Sequence, residues 1–221
     1  MAENPSAGIS VLAPFAGRTA MNHPKRASAD HPIHELLMMR YSPYAFSDRA
    51  VAPTDLKSIF EAARWAPSAF NEQPWRYIVA TKEEPEEFGK LLSCLVEGNQ
   101  TWARNVPVLA LGVTRVLLTR NAKPNRVALH DLGLASACLV FEAMSRGIYV
   151  HQMGGILPDR ARELYQIPPE FEAVTGLALG YPLPPDQVPE ELKARDLAPR
   201  TRRPLAETVF VQSWGAGAPG M

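Results

Sequence analysis

The sequence predicts an α+β domain, a mixed central sheet flanked by helices. Three observations carry this. Segments with apolar residues at helical spacing alternate with short apolar runs. Composition stays in one regime along the chain, with no internal repeat. A length of 221 residues is most simply one domain with a core of ordinary size. Apolar residues make up 46% and charged residues 21%, as in soluble globular proteins. Cations and anions balance at 23 each, so no global field favours nucleic acid or an anionic membrane.

Residues 1–29 are rich in Ala, Ser, Pro and Gly without an apolar period, and read as a flexible N-terminal tail. The domain is expected over 30–213, with a second tail at 214–221. Asp30 can cap a first helix that has Pro32 in its first turn and ends near Met39. Thr54 caps a second, with Asp55 favoured by the helix dipole. Leu56, Ile59, Phe60 and Ala63 recur at helical spacing, and Pro67 ends the run. Residues 75–80 form a strand, 83–96 a helix with an acidic first turn, and 107–114 a buried strand. Residues 125–146 form the longest helix, apolar on nearly every side, with Gly147 as its stop. A strand at 148–153 enters the turn Gly154-Gly155. A short helix at 158–165 and a strand at 174–179 follow. Residues 182–203 are proline-rich and charged, hence extended over the surface. Residues 206–211 look like a last strand with no local partner. The long helix and the unpartnered strand both point to a homodimer in which that strand completes the other copy's sheet.

Cys94 and Cys138 lie far apart and outside any Cys-x-x-Cys spacing, which suits buried thiols in a reducing compartment. Residues 1–20 lack the pattern of a secretory signal, and the apolar stretch 132–144 is too short to span a bilayer. A cytoplasmic protein without membrane or nucleic-acid partners is expected. Gly215 to Gly220 spells the glycine pattern of dinucleotide-binding turns but has no helix after it. His31 and His34 lack the further ligands of a metal site. His130 and Asp131 are adjacent on a helix and point apart. No metal is expected.

Four segments carry chemistry. Arg40 leaves a helix with Ser42 two residues on, a pairing able to grip a phosphate. The loop Pro67-Ser68-Ala69-Phe70-Asn71-Glu72-Gln73-Pro74-Trp75 offers backbone N–H groups, a hydroxyl and an amide between a helix and a strand. In Gln152-Met153-Gly154-Gly155, the glycines let backbone lie flat against a ligand. Arg200-Thr201-Arg202-Arg203-Pro204-Leu205-Ala206-Glu207 is a basic cluster near the end. In this order, over residues 31–212, the segments resemble the nitroreductase family of FMN-dependent oxidoreductases.

The resemblance implies a nitroreductase-like sandwich built as an intertwined homodimer with C-terminal strand exchange and one FMN per interface site. It places Arg40, Tyr41, Ser42 and Tyr44 at the phosphate clamp, although Tyr44 stands where the family usually has Lys or Arg. Pro67, Ser68, Ala69 and Asn71 would reach the flavin of the partner subunit. Asn99 would bond the pyrimidine side of the ring. Gln152, Met153, Gly154 and Gly155 would present backbone to the flavin, including an N–H to N5. Of Arg200, Arg202 and Arg203, Arg202 matches the cation at the phosphate best, and the other two stay open. Phe70 would form part of an apolar wall on the substrate side. No side chain is assigned as catalytic, because the flavin carries the chemistry. The implied activity is transfer of two electrons from NADH or NADPH, by a ping-pong cycle, to a small nitroaromatic, quinone or similar acceptor. Alternatives are a specialised flavin dehydrogenase or dehalogenase on the same fold, or a flavin-binding sensor or storage protein with little turnover.

Overall fold

The computed structural model describes residues 23–218. Its centre is a sheet of four strands: β1 (Trp75–Thr81), β2 (Val108–Arg115), β3 (Tyr149–Met153) and β4 (Phe171–Gly180). They lie in the order β1-β2-β4-β3. β2 is central and reads Val-Leu-Ala-Leu-Gly-Val-Thr-Arg, since a strand covered on both faces needs no polar alternation. Val108 and Ala110 point into one apolar layer, Leu109 and Leu111 into the other.

Five helices cover the two faces. On the first lie α2 (Pro53–Arg64) and α5 (Ala128–Ser145), which bring Ile59, Ala63, Leu139 and Ala143 onto the sheet. On the second lie α3 (Pro85–Leu92), α4 (Glu97–Ala103) and α6 (Pro158–Tyr165), with Phe88, Leu91, Trp102 and Ala161. A short α1 (Glu35–Met39) precedes them and α7 (Glu190–Asp196) follows. The α+β class expected from the sequence is the one observed.

Several expectations need correction. All three strand pairings are antiparallel, so the sheet is not mixed among the described residues. The expected strand at 206–211 is not formed: Leu205–Glu207 is a single 3-10 turn, and Phe210 makes one bridge to Gly217. The segment instead bonds locally, Val209 N–H to the Leu205 carbonyl at 2.8 Å. α1 is capped by His34, whose Nδ1 accepts the Leu36 N–H, so Asp30 and Pro32 precede the helix. α2 begins at Pro53, which puts Thr54 inside its first turn.

The helix expected over 83–96 is two helices. Leu95 bridges to Ile156, and the Cys94 carbonyl accepts the Leu157 N–H at 2.7 Å, which pulls the chain out of helix at 93–96. The segment 182–203 is not simply extended, because it contains α7, whose Asp196 is buried. Residues 23–27, placed with the tail by composition, are packed on the domain. His23 stacks on Tyr41, Arg26 pairs with Glu35, and Ala27 N–H donates to the Met38 carbonyl. The remainder of that tail, 1–22, lies outside the described residues. α5 is long and apolar enough to cross a bilayer, contrary to expectation, but half of it is buried in the core against α2 and the sheet.

Candidate functional site

Arg40 leaves α1 in extended conformation and faces a cavity of about 330 Å³. Arg40, Ser42 and Gln152 supply its polar side, while Ala137, Val140 and Phe141 of α5 supply an apolar side. Two sequence-distant candidates, Arg40-Ser42 and Gln152, are thereby brought together. Arg40 Nη1 donates to Ser42 Oγ at 3.3 Å. Burial and the nearby Arg202 hold the Arg40 guanidinium below its ordinary pKa, and no carboxylate offsets them.

The C-terminal segment is stapled to this clamp. Asp196 Oδ1 accepts the Tyr44 N–H at 2.7 Å, and Oδ2 accepts the Ala45 N–H at 2.8 Å. Four residues on, Arg200 donates to the carbonyls of Lys25, Met38 and Arg40. Its guanidinium therefore closes the end of α1, and its pKa is lowered by burial, then by Arg40 and Arg202. Arg203 pairs with Glu207. Arg202 bonds only the carbonyl of Thr201 and is exposed. Among the described residues, Arg202 neither closes α1 as Arg200 does nor pairs with a carboxylate as Arg203 does.

Beyond β3 the chain turns through Gly154 and Gly155. Asn99 of α4 donates Nδ2–H to the Gly155 carbonyl at 2.9 Å, which joins these candidates too. A Cβ on Gly155 would lie 2.7 Å from that Nδ2, so Gly155 is required by its packing. A Cβ on Gly154 would meet nothing within 4 Å. Among the described residues nothing requires Gly154, and its open face is a place where a flat ligand could lie on backbone.

Pro67, Ser68, Ala69, Phe70 and Asn71 do not line the Arg40 cavity. Their loop is built at the start of α5. Buried Asp131 accepts the Ala69 N–H at 3.1 Å, and Ser68 Oγ accepts the Gln73 N–H at 3.0 Å. Phe70, Asn71 and Gln73 have φ of 54°, 55° and 46°, a left-handed conformation that costs non-glycine residues about 1–3 kcal/mol each. Phe70 is nonetheless 73% exposed. The strain presents the ring outward.

Three candidates have side chains turned elsewhere. Tyr41 is buried in the core between His23 and Tyr149. Tyr44 packs edge-on against Trp102 and His151, so its ring is not part of the Arg40 clamp. The Met153 side chain is buried in the second layer, which leaves only its backbone for a ligand. Sequence reasoning missed Asp196 and His151, and it set Asp131 aside as a catalytic residue without seeing its bond to the Ala69 N–H. His151 is buried, and its Nδ1 lies 2.8 Å from the Pro43 carbonyl.

Comparison with known proteins bears on the family and the fold. The family model described as "Nitroreductase family" matches residues 37–181. A protein of Archaeoglobus fulgidus, provisionally named NADH dehydrogenase/NAD(P)H nitroreductase, is 26% identical over 151 residues, 67% of this chain and 84% of that protein. A crystal structure of an oxidoreductase containing FMN is 34% identical with a TM-score of 0.78, covering 85% of this chain and 96% of that one. A nitroreductase family protein from Streptococcus pneumoniae TIGR4, 22% identical with a TM-score of 0.64 over 79% of this chain and 97% of its own, shares the fold. The chain belongs to the nitroreductase family.

Proposed function

We propose that this protein is an FMN-dependent oxidoreductase that takes two electrons from NADH or NADPH and passes them to a small nitroaromatic or quinone acceptor in a ping-pong cycle. The observation that carries the reading is the group of Arg40, Arg200 and Arg202. Burial and Arg202 lower the pKa of Arg40, burial with Arg40 and Arg202 lowers that of Arg200, and no carboxylate is among the offsetting groups, beside a cavity with one apolar wall. Such a group is stabilised by an anionic ligand. FMN fits it on two counts: a phosphate for the cations, and a flat ring for the open face of Gly154.

When bound, FMN supplies hydride acceptance and release at N5. Arg40, Ser42 and Arg202 hold its phosphate, and Arg200 keeps the clamp in shape. The Gln152–Gly155 backbone supports the ring edge. Asn99 spends its amide N–H on Gly155 and keeps Oδ1 to accept a ring N–H. The Pro67–Asn71 loop serves the site of a second copy. Phe70, 73% exposed, lies on the substrate side of that site, while Trp65 and Leu129, 76% and 58% exposed, are apolar surface that a solitary chain would leave open. A homodimer covers it.

Initial rates of anaerobic NAD(P)H oxidation by the FMN-loaded protein test the reading. With menadione or a nitrobenzene derivative varied at several donor concentrations, double-reciprocal plots should be parallel. Converging lines would exclude the ping-pong cycle. No rate above that of free FMN would exclude the oxidoreductase.

A further inference from the structure

The chain between β2 and α5 is richer in cations than the fold requires. Arg115, Arg120, Lys123 and Arg126 fall in residues 115–130, where there is no Asp or Glu. None of the four forms an ion pair among the described residues. The segment is an ordered excursion. Leu118 N–H bonds the Lys123 carbonyl at 2.8 Å, and Asn125 N–H bonds the Val116 carbonyl at 2.8 Å. Arg120 sits at its tip, with its guanidinium carbon 4.0 Å from the centroid of the Phe70 ring.

That contact fixes where the charge points. Thr119 N–H donates to Glu72 at 2.8 Å, which ties the excursion to the strained loop that presents Phe70. The Glu72 carboxylate has its pKa lowered by the Thr119 bonds and then by Arg115 and Arg120, while the other carboxylate at this loop, Asp131, is buried and bonded to the Ala69 N–H. Arg120 on the ring and Arg115 beside Glu72 give an exposed aromatic ring a cationic rim, in a segment that carries two further cations. Stability does not explain it, because an exposed cation–π pair contributes little. An aromatic face beside a guanidinium suits a ligand with both a planar group and a phosphate.

We propose that Arg120 is a specificity-determining residue that binds the ribose 2′-phosphate of the donor, which makes the protein selective for NADPH over NADH. The proposal rests on the oxidoreductase reading above, in which Phe70 lies on the substrate side of the site. The 2′-phosphate is the one group that distinguishes the two donors, and it carries the charge this rim lacks.

The test compares kcat/KM for NADPH and NADH in the FMN-loaded wild type and in Arg120→Met, which keeps the length of the side chain without its charge. The wild type should favour NADPH by about tenfold or more, and the ratio should fall to near unity in the variant, as expected for one charge-assisted phosphate contact. Calorimetric titration should show adenosine 2′,5′-bisphosphate binding about tenfold more tightly than adenosine 5′-monophosphate to the wild type, and equally to the variant. Equal use of both donors by the wild type overturns the proposal. So does an unchanged ratio in Arg120→Met, or a change confined to anionic acceptors such as 4-nitrobenzoate. Oxidation of neither donor would instead refute the oxidoreductase reading, and the calorimetric comparison would still decide whether the phosphate subsite exists.

Discussion

Asp196 is the strongest single test of how the clamp is built. Its carboxylate is 3% exposed and accepts two backbone N–H groups, at 2.7 and 2.8 Å, from Tyr44 and Ala45. Asp196→Asn keeps the shape but can accept only one of them, because its NH₂ faces the other donor. A hydrogen bond to a charged group contributes about 1.5–3 kcal/mol, and a buried donor left without a partner costs about 1–3 kcal/mol. The substitution should therefore cost about 3 kcal/mol. For a chain of this size that lowers Tm by about 6–12 °C. The Arg40 to Ala45 segment would also loosen, so FMN affinity should fall as well. Thermal unfolding followed by circular dichroism, with and without FMN, measures both. A Tm within about 2 °C of wild type, with unchanged FMN affinity, would refute the account of the clamp.

Three further outcomes follow from the same geometry. Gly155→Ala should destabilise the protein by about 1–3 kcal/mol through overlap with Asn99 and Val96. Gly154→Ala should leave the FMN-free protein within about 0.5 kcal/mol of wild type yet weaken FMN binding about tenfold; equal stability losses at the two positions would contradict this. Arg202→Ala should raise the FMN Kd about tenfold or more by flavin fluorescence quenching, whereas Arg203→Ala, already paired with Glu207, should change it less than about threefold; the reverse order would move the phosphate. The third concerns pH. Burial holds the His151 imidazole below the ordinary range, against raising effects from the Pro43 carbonyl and Asp196, and Arg40 lowers it further. The unfolded chain then takes up a proton below about pH 6.5 that the folded chain resists. Stability should be flat above that pH and fall beneath it, by up to about 1.4 kcal/mol per unit, until the folded pKa is reached. Denaturant unfolding at pH 7 and 5.5 should show a smaller fall in His151→Phe, and identical falls would sink the assignment.

What was legible in the chain depended on how local its cause was. β2 and α5 are marked by long apolar runs, so their existence followed from periodicity alone, with ends off by one to three residues. The break at 93–96 was invisible, because it is imposed by Ile156 and Leu157 from the turn after β3. α7 was missed for a related reason. Its one buried residue is a carboxylate whose partners lie 151 and 152 positions away, and a buried Asp in a charged run looks like surface. In the site, Arg40-Ser42 with Gln152, and Asn99 with Gly155, were named from sequence and meet in space. Tyr41, Tyr44 and Met153 shared those segments, but their side chains alternate into the core. The loop bearing Phe70 was recognisable by its residues, whereas its coupling to Arg120 needed the fold.

The central claim is that the Arg40 cavity and the open face of Gly154 hold a redox-active flavin. An absorbance spectrum of the purified protein, recorded before and after anaerobic addition of NADH or NADPH, tests it most directly. The account predicts the bands of oxidised flavin, bleached when the nucleotide is added. Absence of those bands, with none appearing after incubation with FMN, would contradict it.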